Sequence, residues 1–145
     1  MKRKIICSLT LVLAIALCIA PTASASVQDI QASEYLNRYV AYVYPEGNGN
    51  ISIWFEVQGT GTMDEIGVLS IRLQEKSSTS PTWTYVKSYS HVDYPNLLGY
   101  NAIFYSSGVD YSGKDGYSYM AEVTVWAGKD GDGDSRVILT DVVGA

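Results

Sequence analysis

Apolar and polar residues alternate along most of this chain with a period of two. That spacing places successive side chains on opposite faces of a β-strand. Ile51, Ile53, Phe55 and Val57 fall on one side, and Ser52, Trp54, Glu56 and Gln58 on the other. Tyr119, Ala121, Val123 and Val125 likewise oppose Ser118, Met120, Glu122, Thr124 and Trp126, and Leu69, Ile71 and Leu73 alternate with Ser70, Arg72 and Gln74. Burying one aliphatic side chain contributes about 1.5–3 kcal/mol, so the aliphatic sets are predicted to face a core and Trp54 and Trp126 to face outward. Seven such runs, at 38–44, 50–58, 66–75, 82–90, 99–105, 116–127 and 136–142, are rich in Val, Ile, Thr, Tyr and Trp. The clusters PEGNGN, GTGTMDE, KSSTSP, DYPN, SSGVDYSGKDG and GKDGDGDS separate them and hold the residue types of turns. No connection holds a helix able to cross over a sheet, which excludes parallel pairing. The pattern predicts an all-β fold, a seven-stranded antiparallel β-sandwich over residues 38–145.

The first 37 residues follow another pattern. Lys2, Arg3 and Lys4 precede an apolar run from Ile5 to Ala20; Pro21 ends it, and Ala23-Ser24-Ala25 offers small residues at the spacing a signal peptidase accepts. Residues 1–25 are therefore predicted to be an export signal helix cleaved after Ala25. The run of 16 residues is shorter than the ~18–20 needed to span a bilayer. Lipid attachment at Cys18 is excluded because bulky Leu17 precedes it. Residues 26–37 form a lead-in whose Ile30, Glu34 and Tyr35 keep a weak helical spacing.

Removal of the signal changes the charge. Three of the ten basic residues leave and all fifteen acids stay, so the remaining 120 residues carry a formal charge of −8. Nucleic acid and anionic membrane surfaces both need positive charge to displace counterions, so neither is expected as a partner. Cys7 and Cys18 lie in the signal. The secreted domain is then held by its core, with no disulfide.

Gly116-Tyr117-Ser118-Tyr119-Met120-Ala121-Glu122-Val123 resembles the sixth strand of immunoglobulin and fibronectin type III sandwiches. In that family a tyrosine near the strand start bonds back across the preceding corner. The resemblance implies that role for Tyr119, with Tyr117 as the alternative; the Cys…Trp…Cys spacing of immunoglobulins is absent. The chain also resembles small secreted proteins of unassigned function from Gram-positive gut bacteria, through Gly59-Thr60-Gly61-Thr62-Met63-Asp64-Glu65-Ile66-Gly67, Tyr100-Asn101 and Val123-Thr124-Val125-Trp126-Ala127-Gly128-Lys129-Asp130-Gly131. That second resemblance implies fold and export, and no activity.

Two constellations could carry chemistry. Asp130, Asp132, Asp134 and Asp141 occupy positions 1, 3, 5 and 12 of an EF-hand-like calcium spacing, with Val137 at position 8. Ser135 stands where the EF-hand needs glycine, and Asp141 is shorter than the usual glutamate. The same residues also suit a Gly/Asp-rich hairpin turn, the favoured reading, in which no cofactor is required. The second constellation is aromatic: twelve Tyr, three Trp and two Phe. Trp83, Tyr85, Lys87 and Tyr89 alternate along one strand, so with Trp54 and Trp126 they are candidates to stack on sugar rings or to anchor a protein. The alternative is that Trp83 and its neighbours pack inward.

Catalysis is poorly served. His91 is the sole histidine, it lies in a polar loop, and no Gly-x-Ser-x-Gly elbow surrounds any serine. Glu56 and Glu122, outward on their strands, are the two carboxylates a glycosidase would pair, but with no cleft residues beside them they read as surface charge. Asp64, in the least generic loop, is expected to cap its own turn. The sequence thus predicts a secreted, extracellular, non-catalytic binding module, its partner an extracellular protein or glycan. A carbohydrate-binding module with a calcium-braced loop is the first alternative, and a small hydrolase or enzyme inhibitor the second.

Overall fold

The computed structural model describes residues 33–145. The predicted signal peptide and residues 26–32 of the lead-in lie outside the described residues. Seven antiparallel strands follow in chain order: β1 (Leu36–Gly47), β2 (Asn50–Ser77), β3 (Thr84–Ser90), β4 (Leu98–Ser112), β5 (Tyr117–Lys129), β6 (Asp132–Leu139) and β7 (Val143–Gly144). A single 3₁₀ turn, Pro95–Leu97, leads into β4.

The architecture depends on β2. Its first half, Asn50–Gln58, pairs with β1 on one side and β4 on the other; β4 stays paired across the corner as far as Gly67, and the second half pairs with β3 and β5. Strands β6 and β7 both pair with β5. One hydrogen-bonded sheet is thereby folded over into two layers. The front layer is β1–β2–β4, and the back layer is β3–β2–β5–β6 with β7. Ile51, Ile53, Phe55 and Val57 of the front, and Tyr119, Ala121, Val123 and Val125 of the back, are fully buried between them, as their alternation predicts.

The run boundaries are where the structure corrects the sequence. Runs 50–58 and 66–75 are one strand, because Gly59–Glu65 turns the corner between layers without leaving extended backbone. Met63, Ile66 and Val68 are buried along that corner. At Gly67 (φ +147) a Cβ would stand 2.2 Å from the Leu97 carbonyl oxygen, so only glycine lets the 3₁₀ turn approach. Leu69 is an extra residue, bulged between the Val68–Val125 and Ser70–Thr124 pairs; Val68 takes the core place expected of Leu69. The last predicted strand, 136–142, covers only the second half of β6, which spans Asp132–Leu139; β7 begins at Val143, just beyond that run. Strand β1 begins at Leu36, inside the predicted lead-in.

Two hairpins close on paired residues with positive φ, Asn48–Gly49 (53° and 80°) and Asp130–Gly131 (55° and 84°), the geometry of two-residue turns that match strand twist. The Lys114 backbone N–H donates to the Tyr119 hydroxyl at 2.7 Å, the corner bond implied for that residue. Tyr119 in turn donates to buried Glu75 at 3.3 Å, and Lys114 Nζ closes an ion pair with Glu75 at 2.6 Å. The carboxylate is left with two partners, which is what permits its burial at the end of an aliphatic row.

Candidate functional site

On the outer side of the front layer, the register sets Tyr42 beside Trp54 and Trp54 beside Gly108 in one row across β1, β2 and β4. Tyr44 lies two residues along β1, with its ring centroid 5.6 Å from that of Tyr42. Tyr42 and Tyr44, on the edge strand β1, and Trp54, on the central strand β2, are 39, 47 and 39 % exposed. A Cβ on Gly108 would stand 2.9 Å from Trp54 Cε3, so the indole lies down against a neighbour that has no side chain. Hydrogen-bonding residues flank this aromatic row: Ser52 and Asp110 follow Tyr44 on one side, and Glu56 and Ser106 follow Val40 on the other.

Gly108 is also the lip of a cleft of about 510 Å³ between the free edges of β4 and β3, walled by Lys87, Tyr89, Tyr94, Asn96, Asp110 and Tyr111 among others. Polar side chains fix the lip. Asn96 Nδ2 donates to the Gly108 carbonyl at 3.2 Å, and the Tyr89 hydroxyl donates to the Asp110 carbonyl at 3.0 Å. Both bonds occupy edge carbonyls that would otherwise invite another strand. Burial, with Tyr94, Tyr111 and Asp110 nearby, pushes the Tyr89 hydroxyl up to about 12.

The structure divides the other aromatic candidates. Between the Leu73–Lys87 and Gln74–Tyr85 pairs, Val86 is an extra residue, and the bulge puts Tyr85 and Tyr89 on opposite faces. The predicted ladder Trp83–Tyr85–Lys87–Tyr89 therefore does not exist. Tyr89 is only 3 % exposed, a core residue at the cleft wall. Tyr85 is exposed, but Arg72 lies over its ring at 5.5 Å; Trp83 is half-buried under Lys76 Nζ at 5.0 Å. Trp126 is partly buried, its indole lying against Gly128 and Gly133, where an added Cβ would come within 2.7 and 2.6 Å. Its Nε1–H is buried without a hydrogen-bond partner.

The four aspartates of the calcium spacing do not form one loop. Asp130 sits in the β5–β6 turn, Asp132 and Asp134 are on β6, and Asp141 follows that strand at its opposite end. Asp134 accepts from the Ser33 hydroxyl at 2.5 Å and from the Tyr35 N–H at 3.2 Å, which hold its carboxyl below the ordinary carboxylate range and tie the start of β1 to β6. Asp132 accepts from the Gly133 N–H at 2.8 Å. Asp64 caps not its own turn but the β5–β6 turn, accepting the Asp130 N–H at 2.7 Å. Among the described residues, no three acidic, histidine or cysteine side chains stand together as a metal group.

Glu56 is on the outside of the front layer, and Glu122 is on the outside of the back layer, 3.4 Å from Arg72. The two carboxylates face away from each other and cannot flank one bond. His91 Nδ1 lies 3.1 Å from the Leu69 carbonyl at the bulge. Tyr42 and Tyr44 are what reading the sequence missed; only the Asn48–Gly49 turn, by fixing the register of β1 on β2, places them with Trp54.

No family model matches this chain, and no curated protein sequence matches it. A solved structure described as a crystal structure of a protein from Archaeoglobus fulgidus is similar over 76 % of this chain and 97 % of its own, at 8 % identity and a TM-score of 0.35.

Proposed function

We propose that this protein is a non-catalytic extracellular binding module whose ligand face is the outer side of the β1–β2–β4 layer. One observation carries the reading: Tyr42, Tyr44 and Trp54 present large exposed rings side by side on a rigid sheet. Exposed aromatics that stand together are unusual away from a binding surface, because rings gain more by burial than most side chains do. The export signal read in residues 1–25 and the acidic balance of the rest support an extracellular setting.

The test compares the secreted product with its Tyr42→Ala/Trp54→Ala variant, both checked for folding by circular dichroism. The probes are bacterial cell envelopes, mucin, soluble oligosaccharides and immobilised matrix proteins. The wild type is expected to be retained by at least one probe, with retention at least tenfold weaker in the variant. Equal retention of the two, retention of neither, or turnover of a probe would overturn the proposal.

A further inference from the structure

We infer that the occupant of the front face is a neutral linear polysaccharide, lying across the strands from Tyr42 and Trp54 over the Gly108 lip and into the β3–β4 cleft. This rests on the reading of that face as the ligand surface, and three observations narrow the ligand's chemistry.

The first is the arrangement of the row. Tyr42, Trp54 and Gly108 are cross-strand neighbours, so features along the row recur at the strand spacing of about 4.8 Å. The Tyr42 and Tyr44 rings are 5.6 Å apart. The step along the row is close to the advance of one sugar ring in a linear chain, and Tyr44, one row over, widens the apolar strip at the Tyr42 end. Gly108 keeps the row level where any side chain would stand as a wall.

The second is the alternation of chemistry at right angles to the row. A pyranose has an apolar face and a rim of hydroxyls. Here rings lie along the middle, with Ser52 and Asp110 on one side and Glu56 and Ser106 on the other. A protein partner would meet carboxylates near the centre of its footprint, where protein interfaces are depleted of charge.

The third is sign. Glu56 and Asp110 flank the row and Glu46 lies with Asp110 in an adjoining hollow, against Arg38 beside Glu56 and Lys87 in the cleft; the expected mature chain carries −8. An anionic glycan or nucleic acid would be repelled. A neutral chain keeps the carboxylates as acceptors for its hydroxyls. Beyond the lip, Asn96, Lys87 and Tyr94 continue the polar and aromatic lining.

The experiment is affinity electrophoresis of the secreted product through gels holding a neutral xylan, β-glucan or mannan, with polygalacturonate as the anionic contrast and immobilised fibronectin as the protein contrast. Oligosaccharides of increasing length from the polymer that retards best are then titrated calorimetrically. At least one neutral polymer is expected to retard migration, with affinity rising with length over the first several sugars. Trp54→Ala is expected to weaken binding at least tenfold at every length. Asn96→Ala is expected to spare short oligosaccharides and to remove most of the gain from longer ones. Retention on polygalacturonate or fibronectin alone, lost in Trp54→Ala, would overturn the ligand class and leave the binding face standing. Retention indifferent to Trp54→Ala, or absent on every probe, would remove both. Unchanged length dependence in Asn96→Ala would remove the path into the cleft.

Discussion

On the back layer, Arg72 lies over Tyr85, Lys76 over Trp83, and Trp126 rests against two glycines. On the front layer, Trp54 also rests against a glycine, but its neighbours Tyr42 and Tyr44 are covered by no cation of the chain among the described residues. Both layers therefore present aromatic rings outward, and they differ in whether the chain satisfies those rings itself. A guanidinium or ammonium over a ring is worth about 0.5–1 kcal/mol at an exposed site, and it occupies the face a ligand would need. Counting outward aromatics does not find a binding surface. Asking which of their faces remain open separates the two layers.

That contrast can be broken most forcefully at the seat of Trp126. In Gly133→Val the new side chain meets the indole and the Ala127 carbonyl, both already within 2.7 Å of a Cβ. Chemical denaturation is expected to show a loss of about 1–3 kcal/mol, as overpacking usually costs, with binding by the front face unaltered. A loss of binding of the same size would mean that the layers are not separable in function.

The seam between the layers comes next. Tyr89→Phe removes the bond from β3 to the Asp110 carbonyl, at a cost of about 1 kcal/mol at neutral pH. The wild-type hydroxyl is raised from 10.0 to about 12. A group raised on folding gives stability that is whole below its unfolded value and fades as the pH climbs through its folded one. Wild-type stability should therefore fall between pH 10 and about 12 more steeply than that of Tyr89→Phe. Parallel alkaline denaturation curves would contradict this.

The smallest effect tests the comparison itself. A double-mutant cycle of Arg72→Ala and Tyr85→Ala should return a coupling of about 0.5–1 kcal/mol. The cycle cancels the separate contact of Arg72 with Glu122 at 3.4 Å. Zero coupling would leave the back-layer ring as open as those in front.

Period-two alternation revealed the inner rows of β2 and β5 because aliphatic burial dominates there and each position has one workable side. It failed at Leu69 and Val86, where a single extra residue reverses every side chain beyond it and no residue type announces the event. Val86 in particular turned a four-residue ladder into one covered ring, one capped ring and one core tyrosine. The aspartates of Asp130–Asp134 misled in another way. Gly and Asp are also the residues a two-residue turn demands, so composition alone does not separate a hairpin from a metal loop. Of the proposed binding face only Trp54 could be placed in advance, since its partners come from other strands.

Because β2 is a central member of both layers, the two layers of the described residues share one backbone and are not separate sheets that could swing apart. A chain with separate sheets could open by a hinge and then need a ligand to draw it closed, an ordering that weakens association. Here the aromatic row is mounted on a strand that is also the spine of the opposite layer, so the surface is preorganised. Whatever settles on it meets a shape already made.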